Sequence, residues 1–241
     1  MNAGFRLGLI TLAALLTIAL TFALGRWQLS RAAQKEALQA SMEARDALPK
    51  LEGHSLMTVR TDLLTQVHRR VALRGRWLAS HTVYLDNRQM NNKPGLYVVT
   101  PMQLEGDAAV VLVQRGWVAR NFLDRTHVPP IATPAGVVEL EGRLAPAPSK
   151  LYELGGPESG PIRQNLDLAR FSAELGRPLL PVSVQQLGAP SDGLRRDWPQ
   201  AGTGVEKHYG YAFQWFALSA LIAILYVWFQ IVRRFISPRR A

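Results

Sequence analysis

Two uncharged runs, one near each end of the chain, restrict its fold more than anything between them. Residues 209–232 carry no formal charge. As a helix rising about 1.5 Å per residue they reach ~36 Å, against ~30 Å of bilayer hydrocarbon. Residues 7–25 form the second run, uncharged between Arg6 and Arg26 and just long enough to cross. Both are expected to be membrane-spanning helices. A cleaved signal peptide is the competing reading of the first run, but its apolar core is long and the GRWQLSRAAQK that follows offers no convincing small-x-small site. A retained anchor is expected.

Arg233, Arg234, Arg239 and Arg240 follow the second run directly, which places the C-terminus in the cytoplasm by the positive-inside rule. Two crossings return the chain to its starting side. The expected layout is therefore a cytoplasmic tail at 1–6, a span at 7–25, an extracytoplasmic domain at 26–207, a span at 208–232 and a cytoplasmic tail at 233–241. Neither tail has the size of an effector domain, which argues against a sensor. The net charge of +10 suggests nucleic acid at first, but Arg6 and the four C-terminal arginines supply half of it as topology signal. With no basic run interleaved with aromatics, a nucleic-acid partner is not expected. The chain has no cysteine, so the middle domain must be held by its own core, and thiolate metal sites of the kind copper carriers use are excluded. No Arg-rich amphipathic presequence precedes residue 7, which favours a bacterial plasma (inner) membrane with the domain in the periplasm.

Within that domain the pattern is helix first, then strands. Residues 26–48 lack Gly and Pro and are rich in Ala, Leu, Gln, Glu and Lys, so the first span is expected to continue as a helix as far as Pro49. A short helical candidate covers 56–67. The period then changes to two, over 71–77, 82–87, 96–104, 109–118, 137–144 and 180–187, with turn signals at NNKPG, EGD and HVPPIATPAG. A short helix at 166–175, capped by Asp167, precedes the last strand. The fold class expected is α+β, with two transmembrane helices flanking an antiparallel β-barrel or sandwich that carries short helices.

Catalytic motifs are missing from this reading. There is no nucleophile elbow, zincin helix, Walker A loop or dinucleotide fingerprint, and GGPESG at 155–160 does not join a strand to a helix. An enzyme is not expected. His54, His68, His81 and His127 are scattered, and Asp124 with His127 is a single i, i+3 pair of the kind that arises by chance; all read as surface or capping groups.

His208 differs because the second span begins there. On a helix, His208, Tyr211, Ala212, Trp215 and Phe216 fall on one face. One reading is an interfacial aromatic belt with a polar edge. The other takes in the outer end of the first span, where Gly25, Arg26, Trp27, Gln28 and Arg31 lie at the same depth if the helices pack. An imidazole, flat aromatic surfaces and arginines together complement haem, whose macrocycle is apolar and whose propionates are anionic.

These residues also carry a resemblance. LGRWQLSRAAQK (24–35), Asn87-Arg88 followed by PGLYVVTP (94–101), QRGWV (114–118), EGRL (141–144) and HYGYAFQWFA (208–217) occur in order over nearly the whole chain. They resemble the successive signatures of the Surfeit locus protein 1 family, the cytochrome c oxidase assembly factors. The resemblance implies a non-catalytic chaperone that helps place haem a in oxidase subunit I, with the histidine of the H-x-x-Y-A-x-Q-W-F motif, here His208, implicated in holding it as a metal ligand. Tyr211, Gln214 and Trp215 match the rest of that motif; Gly25, Trp27, Gln28 and Arg31 match the first. Read together with the residues, this leads to the expectation that Arg26 or Arg31 meets the propionates and that the outer domain docks on subunit I or on the haem a synthase. Membrane lipid is a further partner, and a homo-oligomer stays open. The family's usual proline after R-G-W-V is Ala119 here, and the approach to the histidine reads GVEK. A scaffold that binds partner subunits without touching haem is the alternative.

Overall fold

The structure, a computed structural model, describes residues 3–124, 126–152, 160–199 and 204–236. The chain divides into two compact units, Ser41–Pro199 and the pair Met1–Ala40 with Gln200–Ala241, described in turn.

In the unit Ser41–Pro199 six strands follow the period-2 runs: β2 (Arg70–Trp77), β3 (Val83–Met90), β4 (Lys93–Leu104), β5 (Val110–Ala119), β6 (Val137–Ala145) and β8 (Leu179–Gln186). Two more, β1 (Leu51–Glu52) and β7 (Ile162–Arg163), are two residues each, too short for periodicity to reveal. The helical candidate at 56–67 is not one helix. It splits into α2 (Ser55–Thr58) and a 3-10 segment, Arg60–Gln66, at Val59, whose φ/ψ of −98°/22° is not helical. β-branched residues at 58, 59 and 61 lower the helix propensity there. The NNKPG turn shrinks to a two-residue hairpin, Asn91 and Asn92, both at positive φ (51° and 61°). That is the backbone a tight hairpin loop requires, and asparagine tolerates it. Lys93, Pro94 and Gly95 belong to β4.

The strands form an eight-stranded sheet in the order β1-β2-β6-β8-β5-β4-β3-β7. It is mixed, not wholly antiparallel as expected: β1–β2, β3–β7 and β5–β8 are parallel. The β5–β8 pairing follows from the long connection through β6, β7 and α3 (Leu168–Leu175), because a parallel neighbour needs a crossover. β2 pairs with β6 and again with β4, through Gly75↔Leu104, Arg76↔Gln103 and Trp77↔Met102. The pairing of β2, β6, β8, β5 and β4 thus returns on itself. Gly75 stands where β2 engages both neighbours, and a Cβ there would lie 2.2 Å from the Gln103 carbonyl oxygen.

β5 is buried from Val110 to Trp117. Val111 and Val113 turn to a core with Leu56, Leu63, Leu73, Met102, Leu144 and Val184. Leu112 turns the other way, to Val83, Leu85, Val99 and Phe171 of α3. Two covered faces explain why this strand reads as a continuous apolar run. Asp167 caps α3, its carboxylate accepting from Arg170 N at 3.1 Å, and Gly176 ends the helix at φ 62°. The end of α1 belongs to this unit, where Asp46 accepts from Arg70 at 2.9 Å and from Arg143 at 3.1 Å.

The other unit holds most of α1 (Ala3–Asp46) and α4 (Val205–Val227), the latter continued by a π-helical turn, Trp228–Val232. Both are long and apolar enough to cross a membrane. The covered positions of α1 include Leu7, Thr11, Ala14, Ile18, Thr21, Gly25, Gln28, Ala32 and Lys35; those of α4 include Val205, His208, Ala212, Trp215, Ser219, Ile222 and Tyr226. Alternating steps of three and four make each set a straight seam. The seams meet antiparallel. Thr11 Oγ1 lies 2.8 Å from the Tyr226 hydroxyl, Ser219 Oγ donates to Ile18 O at 3.3 Å, and the Phe22 and Phe216 rings meet edge-on at 5.3 Å.

Candidate functional site

His208 and Gln28 occupy facing seam positions, with His208 Nδ1 2.7 Å from Gln28 Oε1. Small residues bring the helices close enough for this. Gly25 lies one turn before Gln28, and a Cβ on it would sit 2.7 Å from the Phe216 ring. Ala32 and Ala212 are buried on either side. An amide oxygen only accepts, so the bond has Nδ1–H donating. Among the described residues no group bonds the other ring nitrogen, Nε2.

The two flanks of the seam differ. On one, Phe22 meets Phe216, and the Tyr209 hydroxyl donates to Glu36 at 2.9 Å. At about 100° per residue Arg31 leaves α1 and Tyr211 leaves α4 on the other flank, with Trp215 in the seam and Trp27 farther round α1 on the Arg31 side. Trp27 and Tyr211 are half exposed, at 52% and 51%, and Trp215 is partly covered. Arg31 lies 5.8 Å above the Trp27 ring and donates to Gln34 at 3.0 Å. Among the expected site residues the direct contacts are two, His208 with Gln28 across the seam and Arg31 with Trp27 along α1. Arg26 is exposed and leaves α1 on the Phe22 side of the seam, about as far round as Trp27 is on the other side. Gln214 is exposed away from the seam.

Two cations join Arg31 near this flank. Lys207 is exposed immediately before His208. Lys35 lies on the seam two turns beyond Gln28, and a Cβ at Gly204 would be 4.0 Å from its Nζ. The seven-residue spacing from Gln28 to Lys35 is the signal that would have found the second one.

The other signature residues build the β unit. Gln114 donates to Ser183 Oγ at 2.7 Å. Arg115, with 2% of its side chain exposed, bonds Thr133 Oγ1, Ala132 O and Asp192 and lies 4.9 Å from the Trp77 ring centre. Trp117 Nε1 donates to Arg88 O at 2.8 Å, and Arg88 reaches Ser149 and Gln164. The guanidinium of each arginine has a lowered pKa because burial disfavours its charge. These motifs knit strands together. Asp124 caps its own turn through Thr126 N and Oγ1, and that hydroxyl holds its carboxyl below the usual range. His81 bonds Ser80, and burial pushes the His68 imidazole down. A cleft of about 570 Å³ lined by Glu52, His54, Arg74, Glu105, Glu139 and Glu141 is crossed by an Arg74–Glu105 ion pair at 2.5 Å. Among the described residues no three His, Asp or Glu side chains gather as a metal site. Of the GGPESG loop only Gly160 falls within the described residues, and Arg239 and Arg240 lie outside them.

The SURF1 family profile matches residues 15–220. A SURF1-like protein of Drosophila melanogaster is 30% identical over 91% of this chain and 77% of its own length. One of Monosiga brevicollis is 29% identical over 87% and 83%, and one of Rickettsia bellii 27% identical over 95% and 92%. With the profile running from within the first apolar helix, across the sheet, into the second, the chain belongs to the SURF1 family.

Proposed function

We propose that this protein is a non-catalytic assembly factor for cytochrome c oxidase that holds haem a where its two membrane spans emerge and hands it on to subunit I. One observation carries the reading. Among the described residues His208 has no partner on Nε2 while Gln28 holds Nδ1, and Tyr211, Trp215 and, farther round α1, Trp27 offer aromatic surface nearby. An imidazole nitrogen with a free electron pair is an axial ligand for haem iron. The aromatic rings suit the macrocycle, and Arg31 and Lys207 suit carboxylates; Arg26, on the Phe22 side of the seam, suits them less well. Haem a is the cargo here, and its iron supplies the bond that His208 makes.

The same proposal sets the topology. Both termini lie in the cytoplasm of a bacterium, the two helices cross its plasma membrane, and residues 26–207 stand in the periplasm. The arginines after residue 232 support this orientation. The returning β2–β4 pairing supports a closed barrel over a sandwich. Such a barrel suits a docking platform for subunit I or the haem a synthase. The apolar outer surfaces of the helices face lipid.

The test is the absorption spectrum and pyridine haemochrome of detergent-purified protein co-expressed with haem a synthesis enzymes, wild type beside His208→Ala. Haem a in the wild type and its loss in a normally inserted variant are expected. Equal haem in both would sink the ligand assignment. No haem in either would leave a haem-free scaffold as the function.

A further inference from the structure

We propose that Gln28 is a positioning residue that sets the tautomer of His208 and, through it, the donor strength of Nε2. The inference rests on the haem-carrier reading for its purpose but not for its geometry. Neutral histidine in water favours the form protonated at Nε2, in which Nδ1 holds the electron pair. A metal-ligating histidine depends on its other nitrogen having an acceptor, which fixes both ring orientation and tautomer.

Here that acceptor is Gln28 Oε1, 2.7 Å from Nδ1. Its approach is over-determined. Gln28 sits in a seam where Gly25 and Ala32 take the neighbouring positions, and Gly25 admits the Phe216 ring. The amide therefore has little room to withdraw, while the imidazole is partly covered and has no other partner among the described residues. A neutral amide, unlike a carboxylate, fixes the tautomer without pulling the proton strongly. Such a bond gives a ligand of moderate basicity, suited to a carrier that must release its cargo. Gln28 touches no iron; it acts through His208.

The experiment uses full-length protein in detergent, labelled with ¹⁵N-histidine and free of haem, at a pH where the imidazoles are neutral. The His208 signals are identified by their loss in His208→Ala. The wild type is expected to show His208 protonated at Nδ1, Gln28→Leu to revert toward the Nε2–H form, and Gln28→Glu to keep Nδ1–H. A wild type protonated at Nε2, or a tautomer unmoved in Gln28→Leu, overturns the proposal.

The haem-loaded protein then tests the consequence. Gln28→Leu should bind haem 10- to 100-fold more weakly, as loss of an outer-shell partner does. In the ferrous form, the iron–histidine stretching frequency should fall in Gln28→Leu and rise in Gln28→Glu. Frequencies equal to the wild type in both variants would overturn the role in donor strength. An Nδ1–H tautomer with no haem bound to the wild type would overturn the haem reading while leaving Gln28 as the partner of His208.

Discussion

Gly75 offers the sharpest test of how the β unit is built, because β2 pairs at this residue with both β6 and β4. In Gly75→Ala the new Cβ would stand 2.2 Å from the Gln103 carbonyl oxygen and 3.0 Å from Met102 Cγ. A relaxed contact needs roughly 3.5 Å, so the strands must part by roughly 1.3 Å. Ladder bonds near ~2.9 Å do not survive that displacement. Two lost bonds at about 1 kcal/mol each, with about 1–3 kcal/mol of overpacking and up to ~1 kcal/mol regained from a stiffer unfolded chain, give a net loss of about 3 kcal/mol. For a unit of this size that lowers Tm by about 6–12 °C. The assay is thermal unfolding of the detergent-solubilised full-length protein, followed by tryptophan fluorescence. Gly136→Ala is the control, since a Cβ at Gly136 meets nothing within 4 Å. If the two variants melt together, the β2–β4 pairing does not hold the sheet closed and the argument from Gly75 fails.

Three further outcomes follow from other contacts. Phe171→Ala empties the space between α3 and Val83, Leu85, Val99 and Leu112 and should destabilise by about 3–5 kcal/mol, read as a lower urea midpoint with an unchanged slope. Asp46 is held below the ordinary carboxyl range chiefly by its hydrogen bond from Arg70, with Arg143 adding to it against the effect of burial. Because its folded pKa is the lower one, its stabilisation is full above about pH 4 and disappears as pH falls through the folded value. Asp46→Asn should therefore be less stable than the wild type at pH 6, with the gap in Tm closing toward pH 3; a constant gap would refute the pairing. Gly25→Val places a side chain where Phe216 now lies, parting α1 from α4, and should cut co-purified haem to the level of His208→Ala with membrane insertion intact.

The elements read correctly from sequence are those whose signal is local. The long helix through residue 46, the six main strands and the Asp167 cap each announce themselves by period, by the absence of breakers or by a capping side chain. The failures are also local in origin. β1 and β7 are too short to have a period, and the split at Val59 turns on a dihedral that alternating helix formers and β-branched residues leave undecided. The parallel β5–β8 pairing has no local mark, because it depends on where a strand returns after a long excursion.

At the site the division is similar. His208 stood out by its position at the start of an apolar run, and the residue types around it suggested a flat, anionic-edged ligand. Arg26 and Arg31 were indistinguishable by type. Only the direction each leaves the helix separates them, and that acquires meaning once the partner helix shows which way the seam faces. Composition and periodicity, which report how each residue meets solvent or lipid, determined by themselves the two apolar helices, the sheet between them and the histidine at their edge. The bond from His208 to Gln28, the edge-on meeting of Phe22 with Phe216, and the closing of β2 onto β4 at Gly75 belonged to the tertiary structure. Each joins residues far apart in the chain, and such contacts depend on the packing of two surfaces, which no single segment encodes.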